Sequence, residues 1–313
     1  MRTRALATAA VLPFAAALSA LQPGLPAAAG WQRAAAPAQT LLAAGDVACS
    51  PDKAHRPSHS AVATAKVLGT AISAHHHATV AALGDEVNGP TSGQAFAQCY
   101  NPTWGRYRSR TRPTPGNWEY TPDHHAGPYF SYFGQLAGQR GKGYYDYRRG
   151  SWHIVVLNSN CGFISGGCGP GSPQETWLRH VLKAHAARCT LAYWHNPLFS
   201  SGRHGVNAAM RPAWDDLFKA HADVVLGGHW HQYERFARQT PSGKRSTKGI
   251  REFVVGTGGA HLHKFAGVKA NSEVRNNTTF GALQLTLGPG WYRWKFLPVA
   301  GQTFTDSGVT SCH

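Results

Sequence analysis

Polar side chains that can bind metal ions stand at the ends of short apolar runs in this sequence. The runs TLLAAGD and TVAALGD end at Asp46 and Asp85, TLAYWHNP contains His195, and DVVLGGHWH contains His229 and His231. HIVVLNSN, residues 153–160, and EFVVGTGGAH, which ends near His261, are two further apolar runs. Short continuous apolar runs such as these six are typical of buried strands. Functional sites of α/β proteins form in the loops beyond the carboxyl ends of their strands. We therefore expect these side chains to lie close together.

Carboxylates and imidazoles together form a ligand set for divalent metal ions, and Asn117 in the turn PGNWE adds an amide oxygen. His229 and His231 are two residues apart, so on an extended segment both side chains point the same way. No cysteine has the spacing of a zinc finger. A lone histidine is usually structural, but six such residues at successive strand ends and turns favour a metal site.

Helical patterns alternate with the apolar runs. They cover residues 58–73, 174–186 and 208–221, and this alternation predicts an α/β architecture with covered sheets. Near the end of the sequence, GALQLTL, a Gly-Pro-Gly turn and WYRWKFLPV predict a β-hairpin. Its aromatic residues alternate with basic residues, so we expect one face to pack and the other to be wet. No clear linker interrupts residues 40–313, which we predict to form one domain.

Residues 1–29 have the pattern of a secretory signal peptide, with early arginines, a short apolar run and small residues for cleavage near Ala29. The alternative is a membrane anchor. It is disfavoured because the run is short, contains Pro13 and has no charged stop after it. Residues 30–39 are rich in alanine and proline, and we predict a flexible lead-in to the domain 40–313. The predicted location is therefore outside the cell membrane, extracellular or on the periplasmic or cell-wall side, with no later membrane span.

Six cysteines follow the predicted signal peptide. An even number in an exported protein favours disulfide bonds over buried free thiols. Cys161 and Cys168 flank the flexible stretch GFISGG, so we predict that they pair. The other four allow three pairings, of which we favour Cys49–Cys99 with Cys189–Cys312.

The sequence is strongly basic, with a formal net charge of +16. A basic surface attracts anions such as phosphates, nucleic acids and cell-wall polymers. Only RYRSRTR, residues 106–112, is a cluster of basic residues, and no RNA- or DNA-binding signature occurs. We therefore predict a bias toward acidic substrates and no stable nucleic-acid partner.

Six motifs occur in order over roughly residues 40–260: GDVAC, LGDEV, WGRYRSRTRPTPGNWEY, YWHNPLFSSGRHG, GGHWHQYERF and VGTGGAH. Together they resemble the calcineurin-like metallophosphoesterases, and most closely the secreted bacterial members related to purple acid phosphatases. The resemblance implies a four-layer α/β/β/α sandwich with two mixed β-sheets. It also implies a dinuclear metal site at the strand ends.

The resemblance implies a role for each candidate residue. Asp85 bridges two divalent ions, for which mixed oxygen and nitrogen ligands suit zinc, manganese or iron. Asp46 and His231 bind the first ion. The second ion is bound by Asn117, His195 and His229. A hydroxide that bridges the ions attacks phosphorus, so the implied activity is the hydrolysis of phosphate esters, with phosphomonoesters favoured. The implied substrate is a phosphorylated small molecule or polymer. Asp85 and His204 are the candidate catalytic residues.

Two departures from the family pattern concern the first ion. Ala48 stands where the family often has a histidine ligand, and water, His55 or His59 are the candidate replacements. A thiolate from Cys49 is the alternative if that cysteine is free. GDEVNGP has no tyrosine like the one that binds ferric iron in the purple enzymes, so we expect no iron–tyrosinate site.

The third departure is Trp118, which stands where the family usually has a histidine that contacts the phosphate and assists the leaving group. An indole cannot protonate a leaving alkoxide. His204 is the favoured substitute, ahead of His124 and His125. Ala48 and Trp118 favour one alternative, a catalytically weakened metal- or phosphate-binding protein of the same fold. A second alternative, a phosphodiesterase or nuclease, rests only on the positive charge.

Overall fold

A computed structural model of the protein describes three stretches of the chain: residues 37–49, 56–203 and 205–313. The predicted signal peptide, residues 1–29, lies outside the described residues, and so do His55 and His204. The first strand begins at Gln39, the last residue of the expected lead-in. All described residues belong to one compact unit.

Thirteen strands of the described residues form two mixed sheets. Their bounds are Gln39–Ala44 (β1), Thr79–Ala82 (β2), Thr111–Pro113 (β3), Tyr145–Arg149 (β4), Trp152–Val156 (β5), Cys189–Tyr193 (β6), Val224–Gly227 (β7), Tyr233–Phe236 (β8), Arg251–Val255 (β9), Ser272–Asn276 (β10), Gly281–Gly288 (β11), Trp291–Pro298 (β12) and Ser307–Ser311 (β13). One sheet has the order β13-β12-β11-β1-β2-β3, and the other has the order β10-β8-β9-β7-β6-β5-β4. Strands β1 to β3 run parallel, as do β5, β6, β7 and β9, whereas the remaining pairs are antiparallel.

Serine caps begin the two long helices. The α-helices are His59–Ala74 (α1), Gly93–Ala95 (α2), Gly127–Phe133 (α3), Pro173–Ala184 (α4) and Arg211–Lys219 (α5). Shorter turns are the π-helical Phe96–Tyr100 and the 3-10 segments Trp104–Arg110, Trp118–Tyr120, Gly134–Ala137 and Ala208–Met210. The side chains of Ser58 and Ser172 accept from backbone N–H groups in the first turns of α1 and α4. The predicted helix 208–221 is a 3-10 turn followed by α5, which has a proline in its first turn.

Successive side chains along the central strands point to opposite faces of the sheet, so each strand contributes to two layers of the core. In β5, Ile154 and Val156 belong to the core that also holds Leu283 of β11, and this is the core between the sheets. Val155 faces the opposite way and packs in a second core with Leu178 of α4 and residues of α5. Because α1 contacts β11 and β12 on the outside of the first sheet, the layers are helix, sheet, sheet and helix. The predicted four-layer α/β/β/α sandwich is therefore confirmed.

The predicted C-terminal hairpin is confirmed as β11 and β12. Tyr292, Trp294 and Phe296 are buried, whereas Arg293 and Lys295 are exposed. Each of the six apolar runs at the predicted strand positions also contains a strand. The strands that the apolar runs did not reveal are β3, β4, β8, β10 and β13. Most of them lie at sheet edges, where partial exposure weakens the apolar signal.

All three favoured cysteine pairs form disulfide bonds: Cys49–Cys99, Cys161–Cys168 and Cys189–Cys312. The first joins the loop after β1 to the π-helical turn, and the second closes the loop after β5. The third fastens the last residues of the chain to β6. Among the described residues, no helix has the length and apolar character to cross a membrane.

The disulfide that closes the longest loop should contribute most to stability. The closed segments span 123 residues for Cys189–Cys312 and 7 residues for Cys161–Cys168. Loop-closure entropy then predicts losses of about 5 and about 2 kcal/mol when each pair is replaced by alanines. Urea unfolding of the two double variants under non-reducing conditions measures the difference. Equal losses, or a larger loss from Cys161–Cys168, would contradict this order.

Candidate metal centre

The six predicted ligands lie at one edge of the molecule, beyond the carboxyl ends of parallel strands from both sheets. The first sheet supplies the loops after β1, β2 and β3, and the second supplies the loops after β6 and β7. In chain order these loops carry Asp46, Asp85, Asn117, His195, His229 and His231. The carboxyl ends of the strands meet here because both sheets orient their parallel strands toward this edge.

One group of contacts joins Asp85 to the residues predicted for the second ion. His195 Nε2 lies 3.4 Å from Asp85 Oδ1 and 3.2 Å from Asn117 Oδ1. His229 Nδ1 lies 2.9 Å from the same Asn117 oxygen and 3.3 Å from His195 Nε2. Four side chains from four loops thus direct ligand atoms toward a common point. Asp46 also belongs here, since its carboxylate, that of Asp85 and His195 place ligand atoms within 4.8 Å of one another.

A second group of contacts surrounds Asp46. Its Oδ2 accepts from the backbone N–H of His229 at 2.8 Å. Its Oδ1 lies 3.3 Å from His231 Nε2, is fully buried and accepts no hydrogen bond from the described residues. An unbonded buried carboxylate oxygen is costly and needs an explanation. A divalent cation between Asp46 and His231 would satisfy it, so the residues present fit a metal ion.

The ring orientations of two histidines also fit metal binding. His195 Nδ1 lies 2.7 Å from the carbonyl oxygen of Leu83, and His231 Nδ1 lies 2.7 Å from that of His261. A carbonyl oxygen only accepts, so each Nδ1 carries the proton and donates it. When the ring is neutral, as metal binding requires, its lone pair is on Nε2, which faces the carboxylates. This arrangement is typical of metal-ligating histidines.

The electrostatics show that the site requires positive charge. Burial lowers the pKa of His195, but the carboxylate of Asp85 outweighs it and raises that pKa to about 9. Burial and the neighbouring His195 lower the pKa of His229 to about 4. Burial raises the pKa of Asp46, yet the adjacent His231 outweighs it and holds the pKa below its usual value. Without a metal, protons on histidine compensate the two aspartates, and a metal ion competes with those protons.

The backbone of the ligand loops adopts a sparsely populated conformation. Asp46, Asp85 and His229 have φ angles of 62°, 52° and 67°, in the left-handed region that non-glycine residues rarely occupy. Gly116 allows close approach, since a Cβ there would lie 2.1 Å from Asp85 Oδ1. Such strained positions cluster at functional sites, where the surrounding structure must hold them.

Glu119 holds the turn that carries Asn117. Its buried carboxylate accepts from the backbone N–H groups of Asp85 at 2.9 Å and Gly116 at 2.7 Å. Burial and then the charge of Asp85 raise the pKa of Glu119 to about 8. The backbone N–H of Trp118 donates to Asp85 Oδ1 at 3.0 Å. The turn is therefore fixed to the loop after β2 by its backbone, whichever side chain stands at position 118.

Sequence reasoning missed one residue of the site, Asn88. Its amide nitrogen lies 3.1 Å from Asp85 Oδ2 and 3.2 Å from His231 Nε2. The available signal was an amide side chain three residues after Asp85, in the same loop.

The candidate replacements for the altered positions lie in different places. Ala48 lines a cleft of about 760 Å³ beside the ligands, together with Asn88. His59 begins α1 and is exposed, and His125 is exposed as well. His124 stacks on Phe163 at 5.3 Å between ring centroids. Cys49 is held in a disulfide, which excludes the alternative of a thiolate ligand.

The chain belongs to the calcineurin-like phosphoesterase family. The family model, described as calcineurin-like phosphoesterase, matches residues 40–233. The matched region contains all six predicted ligands and ends two residues after His231. This match confirms the family predicted from the sequence motifs, a class of phosphatase-like hydrolases.

Curated relatives with sequence similarity to this chain include purple acid phosphatases, and one solved structure with a similar fold is also a purple acid phosphatase. A probable purple acid phosphatase 20 of Arabidopsis thaliana is 28% identical over 169 residues, covering 46% of this chain and 38% of the relative. Purple acid phosphatase 1 of Ipomoea batatas is 31% identical over 159 residues, covering 44% and 32%. This chain thus spans about a third of the length of those relatives. The structure of purple acid phosphatase PPD1 from yellow lupin (Lupinus luteus) seeds superposes with a TM-score of 0.68 at 17% identity, covering 88% of this chain and 54% of that one. At this identity the likeness shows the fold alone.

A methyl group at Gly116 should disturb the site. Its Cβ would lie 2.1 Å from Asp85 Oδ1 and 2.4 Å from the Asp85 backbone nitrogen, so Gly116→Ala must displace that loop. We expect a loss of about 1–3 kcal/mol in the free energy of unfolding, from overpacking, and reduced metal content after dialysis. Gly93→Ala is the matched control, because a Cβ there meets no atom within 4 Å. Unchanged metal content in Gly116→Ala would contradict the role given to this close contact.

Proposed function

We propose that this protein is an exported, metal-dependent phosphoesterase that hydrolyses phosphate esters, with phosphomonoesters as the preferred class. The observation that carries the proposal is the convergence of two buried carboxylates, three imidazoles and one amide oxygen at one edge of both sheets. Their ligand atoms face one another and Asp46 Oδ1 accepts no hydrogen bond from the described residues. The family match supports assigning this cluster to phosphoester chemistry.

The chain's own residues would position two divalent ions and the substrate. Asp85 would bridge the two ions, because its two oxygens face different groups of residues. Its Oδ1 faces His195, and its Oδ2 faces Asn88 on the side of His231. Two bound ions supply Lewis acidity, which lowers the pKa of water and neutralises charge on the phosphoryl oxygens. Asn117 and His229 would complete one ion's environment, and Asp46 and His231 the other's. The formal charge of +16 favours the approach of anionic substrates.

The proposal of export rests on two features. Residues 1–29 carry the signal-peptide pattern, and the described residues hold three disulfide bonds. Disulfides form and persist mainly in oxidising compartments outside the cytosol. An extracellular or periplasmic location is the inference that both features support.

A second candidate function is that of a metal- or phosphate-binding protein of this fold with weakened catalysis. Two specific residues favour it. Ala48 provides no ligand where the family often has histidine, and Trp118 provides no general acid. On this reading the protein binds metal ions and inorganic phosphate but turns over esters near the background rate. Metal analysis followed by assays with an aryl phosphate, an aryl diester and DNA distinguishes this reading, the phosphomonoesterase and the nuclease alternative.

Removal of the proposed bridging residue should remove both ions. Asp85→Ala takes away a ligand shared by the two sites, so metal content should fall from two ions per chain toward none. Turnover of an aryl phosphate should fall by about 10³-fold or more, since the lost charge stabilisation is several kcal/mol. Asp123→Ala is the control, because this exposed aspartate accepts from the backbone N–H groups of His125 and Gly127, outside the site. Full metal content and full activity in Asp85→Ala would refute the proposed centre.

Restoring the histidine of the family at position 118 should raise turnover selectively. Alkyl phosphates have poor leaving groups that need a proton, so Trp118→His should accelerate them by about 10²-fold or more. Aryl phosphates leave as stable phenolates, and their rates should change by less than about fivefold. The ratio of alkyl to aryl kcat in both proteins is the measurement. Equal ratios would show that position 118 takes no part in leaving-group departure. If kcat of Trp118→His falls for an aromatic substrate alone, the indole of Trp118 stacks on that substrate.

A further inference from the structure

Three side chains that can bind a metal ion meet at a second place in the molecule. Asp146 is in the edge strand β4, His153 is in β5, and His185 is the C-cap of helix α4. Asp146 Oδ2 lies 2.9 Å from His153 Nε2 and 2.7 Å from His185 Nδ1. One potential ligand atom of each residue lies within 4.8 Å of the other two. A carboxylate and two imidazoles form a ligand set for a divalent ion.

The strand register explains why these residues meet. β4 and β5 pair antiparallel, with Asp146 opposite Val155 and Arg148 opposite His153. Asp146 and His153 are therefore diagonal neighbours on the face of the sheet that also carries Val155. Val155 packs in the core beneath α4, so this is the face that the helix covers. His185 reaches the same carboxylate from the end of that helix.

This cluster is separate from the six ligands of the candidate metal centre. β5 and β6 are parallel, and His153 is paired with Thr190, the second residue of β6. His195 lies beyond the carboxyl end of β6, on the order of 15 Å further along the strand direction. The two groups of ligands therefore cannot share an ion. Whatever the cluster binds is independent of the phosphoesterase activity proposed above.

The buried histidine of the cluster is prepared for metal binding. The side chain of His153 is 1% exposed, and burial lowers its pKa, so the ring is neutral at physiological pH as metal binding requires. Its Nδ1 is buried and has no hydrogen-bond partner among the described residues. That nitrogen is unpaired in either tautomer. Exchange of the Nε2 proton for a metal ion therefore loses no hydrogen bond on the Nδ1 side.

The surroundings of the cluster also suit a cation. His185 stands at the carboxyl end of α4, where the last carbonyl groups carry negative partial charge and favour positive charge nearby. Arg148 opposes a cation, but it is exposed to solvent and its guanidinium donates to the carbonyl oxygen of His185 at 3.2 Å. The side chain of His185 is 49% exposed. Water can therefore reach the site and complete four-coordination around an ion.

We propose that Asp146, His153 and His185 form a separate zinc site that fastens strands β4 and β5 to the end of α4. His153 binds through Nε2, His185 binds through Nδ1, and Asp146 contributes a carboxylate oxygen. Two imidazoles with one carboxylate suit Zn²⁺ better than Mg²⁺ or Ca²⁺. The ligands come from three elements that meet only in the folded chain, so the bound ion stabilises the fold. This ion is additional to the two ions counted above for the centre.

The test is the Zn²⁺ content of the chelator-treated full chain after dialysis against buffered micromolar Zn²⁺. His185→Ala should hold one ion fewer than wild type, with affinity at this site reduced by more than about 100-fold, beyond the 10–100-fold typical of residues that merely orient ligands. Its turnover of an aryl phosphate should equal that of wild type. His180→Ala is the matched control, because His180 is an exposed histidine of the same helix outside the cluster. Asp85→Ala, which disables the two-ion centre, should keep this one ion, and Zn²⁺ should raise its Tm unless His185→Ala is added.

Each result supports or overturns the zinc site. Equal Zn²⁺ content in wild type and His185→Ala overturns it. A lower Tm of His185→Ala at unchanged Zn²⁺ content also overturns it, since the cluster then only hydrogen-bonds α4 to the sheet. Anomalous diffraction at the zinc edge from Zn²⁺-loaded wild-type crystals should place an ion about 2.0–2.2 Å from a ligand atom of each of the three side chains. That measurement decides if a variant does not fold, and the absence of an ion there overturns the proposal.

Discussion

Two buried carboxylates that must be neutralised determine much of the architecture around this site. Asp46 and Asp85 are 0% and 1% exposed, and each faces an imidazole rather than an arginine or lysine. An uncompensated buried charge costs several kcal/mol, so the folded state requires positive charge at this place. Protons on histidine provide it in the absence of metal, and a divalent ion provides it more completely. Stability would therefore be coupled to metal binding at the proposed centre.

The scaffold maintains this arrangement through contacts that use the backbone. Asp46, Asp85 and His229 are held in left-handed conformations. Each such conformation costs about 1–3 kcal/mol and persists only because the surrounding structure fixes it. Glu119 binds two backbone N–H groups at the turn, and Asp46 binds the N–H of His229 across the two sheets. A strand end of one sheet is thus bonded to a strand end of the other. The two sheets must pack in one register for the six side chains to meet.

Sequence patterns revealed the central strands and the ligands at their ends because both depend on local features. Buried parallel strands give continuous apolar runs, and a histidine or aspartate directly after such a run is easily recognised. Strand β3 was missed because it has only three residues, Thr111–Pro113, and Asn117 was accordingly assigned to an isolated turn. Asn88 was missed because its role depends on His231, which is 143 residues away along the chain. Contacts between loops of different sheets leave no periodicity in the sequence.

The two altered residues, Ala48 and Trp118, affect separable parts of the chemistry. At the proposed centre, Ala48 supplies no ligand to the first ion, and replacing a neutral imidazole by alanine leaves the formal charge of the centre unchanged. Trp118 leaves the ligands unchanged, because its backbone N–H still binds Asp85. Its side chain can alter only groups beyond the ions, where a leaving group departs. Two buried aspartates, with an Asp46 oxygen that accepts no hydrogen bond from the described residues, carry a stability cost that protonated histidines offset and that a divalent ion would offset more completely. Under the proposed function, metal binding is therefore the property that these residues preserve, and the two altered residues would affect the first ion and the leaving group separately.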